Sequence, residues 1–139
     1  MALFQLFPTL LGLFTVLHLT QSGDIACGMG NVAGGTFLRC LCNFNYGLAD
    51  CADRQFILVP KFTPEEVFQI HTMTLDYNNI QSISPQDFNK SLFISLETLY
   101  IRGNPNLDCE TLHLIPSDVL TISDCAGSTR RVSQQSNTR

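Results

Sequence analysis

Cationic side chains are in short supply: the 139-residue chain carries eight Lys/Arg against twelve Asp/Glu, a formal net charge of −4. The deficit deepens in the middle, because residues 23–125 hold five of the cations and all twelve acids, while residues 126–139 hold three arginines and no acid. A phosphate backbone is held by the cations that neutralise it, so this balance argues against a nucleic-acid partner for the folded part. Histidine is nearly as rare. Beyond residue 22 only His71, at the start of an expected strand, and His113, between Leu112 and Leu114, remain. No glycine-rich phosphate loop and no Cys-x-x-Cys pair accompanies them. Acid–base chemistry, phosphoryl transfer and zinc therefore have little to work with, and neither an enzyme nor a protein with a cofactor or metal is expected. Downstream of residue 22 there is also no apolar run of the ~20 residues that a transmembrane helix needs.

What is present begins with a leader. The first 22 residues carry no charge and are mostly apolar from Leu3 to Leu19, which reads as the h-region of a secretory signal. Thr20 and Ser22 supply small residues at the minus-three and minus-one positions of a cleavage before Gly23. Residues 1–22 are thus expected to be removed and the remainder secreted, leaving roughly 117 residues, the size of one domain. That remainder contains all six cysteines, Cys27, Cys40, Cys42, Cys51, Cys109 and Cys125, an even number in a small exported chain, which reads as a disulfide framework. Residues 126–139 are rich in Ser, Gln, Thr and Arg, too polar to bury a core, and are expected to form a disordered tail.

The second half repeats itself. Ile70, Met73, Leu75 and Asn78 return as Leu96, Leu99, Ile101 and Asn104, each 26 residues later, in the spacing L-x-x-L-x-L-x-x-N. Apolar residues two apart point to one face of a strand, so Met73/Leu75 and Leu99/Ile101 mark strands with their core side down. Where the chain then turns away, backbone groups lose their ladder partners, and Asn78 and Asn104 can satisfy them from a side chain. Ile80, Ile83 and Phe88 bring the return arm back to the interior, with Gln81, Ser82, Ser84 and Gln86 outside. Leu120, Ile122 and Cys125 repeat the L-x-L-x-x-N spacing a third time, with cysteine in place of asparagine. Pro64-Glu65-Glu66 suits a first helical turn, and the pairs Glu65/Glu66 and Asp108/Glu110 read as solvated-face charges.

These motifs resemble the extracellular leucine-rich-repeat family over nearly all of Cys27 to Cys125. Cys40-Leu41-Cys42, Cys51 and Ile57-Leu58-Val59-Pro60 look like its cysteine-rich N-terminal cap, and Gly103-Asn104-Pro105 with Leu107-Asp108-Cys109 looks like the start of its C-terminal cap. The chain departs from the family in having twelve residues between Cys27 and Cys40, and two cysteines rather than four in the second cap. The resemblance implies an N-terminal cap over 23–60, repeats over 61–104 and a C-terminal cap over 105–125. It implies an α/β fold, a short solenoid with parallel strands on its concave face. Six cysteines allow fifteen pairings, and Cys40 and Cys42, two apart on a strand, should take different partners. The family's cap implies Cys27–Cys42 and Cys40–Cys51, which leaves Cys109–Cys125.

On such a scaffold the residues between the strand apolars face outward. Across the three coils they are expected to line up as Thr72/Thr98, Thr74/Tyr100/Thr121 and Asp76/Arg102/Ser123, with Tyr77 at the edge. Tyr and Arg combine contact area with directional polar ends and are enriched in binding hot spots, so Thr74, Asp76, Tyr77, Tyr100 and Arg102 form the candidate binding surface. The alternative is that Asp76 and Arg102 simply pair across strands, worth roughly 0.2–1 kcal/mol. Asn89-Lys90-Ser91 is a glycosylation sequon on the return arm. The function implied by the resemblance is recognition or adhesion, with an extracellular protein or matrix component as partner; a structural matrix constituent is the alternative.

Overall fold

The computed structural model describes residues 23–126; the expected signal segment over 1–22 and the tail beyond Ala126 lie outside the described residues. The cysteine-rich stretch alternates inward cysteine or alanine with outward side chains, a period-two pattern that makes strand. It forms β1 (Asp24–Asn31), β2 (Phe37–Asn43) and β3 (Leu48–Asp50), each antiparallel to the next. From β3 the chain crosses over through the one-turn helix α1 (Pro64–Val67) to β4 (Thr72–Thr74), then to β5 (Thr98–Tyr100) and, through a 3-10 helix (Cys109–Leu114), to β6 (Leu120–Ile122). These last three strands pair in parallel with their predecessors, giving one six-stranded sheet in sequence order and a mixed α/β architecture.

The 26-residue sequence period is also the spacing between paired strands, since Met73 faces Leu99 and Thr74 faces Tyr100. Ala49, Met73 and Leu99 point into the core, joined by Ile70, Leu75, Ile80, Ile83, Phe88, Leu96 and Ile101. Each fully buried aliphatic or phenyl group of this kind contributes about 1.5–3 kcal/mol. At the turns the two asparagines are buried and saturated. Asn78 Oδ1 accepts from the backbone N–H of Arg54 and Phe56 at 3.0 Å, while its Nδ2 donates to the carbonyls of Cys51, Leu75 and Asp76. Asn104 accepts from Ile80 N–H and donates to the carbonyls of Leu75, Ile101 and Arg102. Each side chain therefore stitches its own turn to the segment that follows the preceding strand.

Three disulfides, Cys27–Cys42, Cys40–Cys51 and Cys109–Cys125, take up all six cysteines. Cys27, Cys40, Cys42 and Cys51 are fully buried and stand where larger apolar side chains would otherwise build the core beneath β1 to β3.

Two expectations are corrected. The third occurrence of the strand pattern is offset by one residue: Thr121, not Leu120, pairs with Leu99. The turn that hydrogen-bonds Val119 N–H to Pro116 C=O delivers Val119 into the core. Strand alternation then sends Leu120 and Ile122 outward and Thr121 inward; Thr121 is 3 % exposed. Nor is Glu66 a solvated-face charge. It closes a capping box with Thr63 at the start of α1, and its Oε2 accepts from Gly28 N–H at 3.2 Å with Arg39 at 4.0 Å. The first helix is thereby tied to β1 and β2.

Candidate functional site

The side of the sheet opposite the core carries two rows of side chains in register. One runs Leu41, Asp50, Thr74, Tyr100, Ile122 and the other Leu48, Thr72, Thr98, Leu120. Neighbours along a row lie about 4.8 Å apart. Threonines occupy the middle and aliphatics the two ends, with Leu41 and Leu48 exposed and Leu120 and Ile122 half-buried. The aliphatic end beside Tyr100 was not anticipated from the sequence, because the expected register put Thr121 there and turned Leu120 and Ile122 inward.

Beyond the C-terminal ends of β4 and β5 the polar members of the candidate surface gather. Asp76 is 5 % exposed, so it does not face outward as expected. Its Oδ1 accepts the backbone N–H of Arg102 at 2.6 Å, and its Oδ2 accepts Nη2 at 2.7 Å and Nε at 3.2 Å. The carboxylate is spent on fixing Arg102. The hydrogen bond and the charge of Asp76 push the Arg102 guanidinium above its ordinary pKa, so the arginine stays cationic at any physiological pH. Its Cζ lies 5.4 Å from the centroid of the Tyr100 ring, within cation–π range. Arg102 is thus held on two sides while about half of its side chain is exposed.

Tyr77 is 64 % exposed and adopts a left-handed backbone, φ 59°, while its N–H donates to Arg102 C=O at 2.8 Å. Its ring lies against Gly103, whose own φ is +68°; a Cβ there would come within 2.4 Å of the tyrosine Cδ1. Gly103 is therefore a hidden part of the site, and its N–H donates to Asp124 Oδ2 at 2.7 Å. Asp124 occupies the place expected of Ser123 beside the second coil, a consequence of the same one-residue offset. Thr74, Tyr77, Tyr100 and Arg102 are brought together at one end of the outward face, with Asp76 beneath them. Asn89 is exposed on the arm between β4 and β5, off the sheet.

His71 sits on the surface with Glu97 at 3.5 Å, and the exposed His113 bonds to the Glu110 carbonyl of its own helix. Among the described residues no group of three His, Cys, Asp or Glu is placed to hold a metal ion. A cleft of about 460 Å³ opens beyond Gly103, between Ile101, Pro105, Leu107 and the Cys109–Cys125 bridge, with Asp124 on its rim; no histidine, lysine or arginine lines it. No known protein family, no curated protein and no solved structure matches the chain.

Proposed function

We propose that this chain is a secreted recognition module of leucine-rich-repeat type, binding an extracellular protein or matrix component through the outward face of its sheet. The repeat reading draws on the coincidence of the 26-residue sequence period with the pairing of β4 to β5, and on the buried Asn78 and Asn104 that link successive coils. The three disulfides suit an oxidising, extracellular setting. On this reading the sheet is the inner wall of a short solenoid closed by a cap at each end.

One observation carries the binding assignment: Arg102, clamped by buried Asp76 and stacked on Tyr100, is presented already ordered beside the exposed Tyr77. A partner meeting ordered side chains is spared the cost of immobilising them, about 0.5–1.5 kcal/mol for each long side chain. Tyr and Arg so placed, with Leu120 and Ile122 as apolar neighbours, have the composition of a hot spot.

The test is cross-linked capture of partners from extracellular fractions by the wild-type chain, followed by binding measurements with Tyr77→Ala/Tyr100→Ala and, on the return arm, Gln86→Ala. The tyrosine variant should weaken binding at least about tenfold, roughly 1.4 kcal/mol, and the arm variant should leave it unchanged. The reverse pattern would move the contact off the sheet.

A further inference from the structure

The arm between β4 and β5 carries a feature that partner binding by the sheet does not use. Asn89, Lys90 and Ser91 are all exposed. Asn89 Oδ1 accepts from the Ser91 backbone N–H at 2.9 Å and from the Ser91 hydroxyl at 2.7 Å. Two donors on the amide oxygen leave Nδ2 turned to solvent and polarise the amide it belongs to. Every contact involved is local, including the turn in which Asn89 C=O accepts from Leu92 and Phe93 N–H at 2.9 Å.

The next residues supply the second observation. Ser91 to Leu96 reads Ser-Leu-Phe-Ile-Ser-Leu, six residues without a charge or a proline, the composition of a segment prone to cross-strand association. Phe93 and Leu96 are buried, but Leu92 is 46 % and Ile94 61 % exposed. Natural sequences flank such windows with a charge or proline as gatekeeper. Here Lys90 and Glu97 flank the window, and both are engaged at the surface: the Lys90 ammonium lies 2.7 Å from the Asp118 carboxylate and the Glu97 carboxylate 3.5 Å from His71 Nδ1.

We propose that Asn89 carries an N-linked oligosaccharide, and that this glycan covers the exposed Leu92 and Ile94, adding to the two flanking charges as a gatekeeper. The proposal rests on the export assigned above. The donor is a lipid-pyrophosphate-linked oligosaccharide: a bond forms from Asn89 Nδ2 to the sugar C1 as the bond from C1 to the pyrophosphate oxygen breaks. The lipid pyrophosphate leaves with the electron pair, and the displaced amide proton passes to a base of the transferase. The sugar stands on the arm, so the outward face of the sheet stays open to a partner.

Translation of the full chain in the presence of endoplasmic-reticulum microsomes tests the attachment. The wild-type chain should become protease-protected and heavier, and peptide-N-glycosidase should return it to polypeptide mass with aspartate at position 89. Ser91→Thr should keep the modification, and Asn89→Gln and Ser91→Ala should each abolish it. A protected chain of unmodified mass overturns the site while leaving export intact; a chain that stays protease-sensitive outside the vesicles overturns export and the glycan with it. For the covering role, secreted Asn89→Gln should show a several-fold larger aggregated fraction by size exclusion than the wild type. Adding Leu92→Ser and Ile94→Ser should restore the wild-type elution. Asn89→Gln that elutes as the wild type does overturns that role.

Discussion

At the scale of single residues, the asparagines do more for the fold than their polarity suggests. Asn78 makes five hydrogen bonds, all to backbone groups and spanning two coils. Asn78→Ala leaves several of those groups buried and unpaired, at about 1–3 kcal/mol each, so a loss of at least about 3 kcal/mol is expected in urea unfolding. Asn104→Ala should cost less, because a single backbone N–H, that of Ile80, depends on its oxygen. Both asparagines were legible in the sequence, since a repeated polar residue at a fixed offset from strand apolars needs a backbone to serve. Gly103 was not, because its task is set by a ring 26 residues away in the chain. Gly103→Ala meets both a left-handed backbone, costing about 1–2 kcal/mol, and the Tyr77 ring. Thermal unfolding should register the loss, and tyrosine fluorescence should change as Tyr77 is displaced.

At the scale of elements, β4 and β5 were legible because aliphatics two apart recur with an asparagine behind them, while β6 was misread by one residue. The segment Val119-Leu120-Thr121-Ile122-Ser123 offers two alternations, and the pair Leu120/Ile122 is the more apolar. The choice between them is made by the turn at Pro116–Val119 and by the pull of Cys125 toward Cys109, which pairwise spacing does not encode. The two registers make opposite predictions. With Thr121 inward, its hydroxyl reaches only the Val119 carbonyl, at 3.5 Å, so Thr121→Val removes a poorly satisfied buried polar group and should stabilise by about 1 kcal/mol. Ile122→Ser, on the outward face, should cost little. Denaturant midpoints that fell for the first variant and collapsed for the second would restore the other register. Helix α1 follows the same pattern: Pro64-Glu65-Glu66 mark its first turn, but the capping box with Thr63 and the bond from Gly28 to Glu66, which joins residues 38 apart, were not read from the local sequence.

At the scale of the whole molecule, the question is how so small a sheet holds together, and the disulfides answer it differently at the two ends. Bridges Cys27–Cys42 and Cys109–Cys125 close loops of nearly equal length, with separations of 15 and 16 residues. Chain-entropy arguments therefore assign them nearly the same stabilisation, about 3 kcal/mol each, a large share of the 5–15 kcal/mol typical of a domain. Their surroundings differ. Cys27 and Cys42 are fully buried and in effect are the core beneath the antiparallel strands β1 to β3, whereas Cys109 is exposed and Cys125 half-buried. Replacing a buried bridge removes packed sulfur as well as the cross-link, and the hole left behind adds its own cost. Cys27→Ala/Cys42→Ala should therefore lower the unfolding free energy by more than Cys109→Ala/Cys125→Ala, which should lose little beyond the entropic share. Guanidinium unfolding of the two double variants measures the difference. Equal losses would mean that Cys27 and Cys42 act only as a cross-link, and that the apolar interior of β4, β5 and the arm between them stabilises the sheet without help from packing beneath β1 to β3.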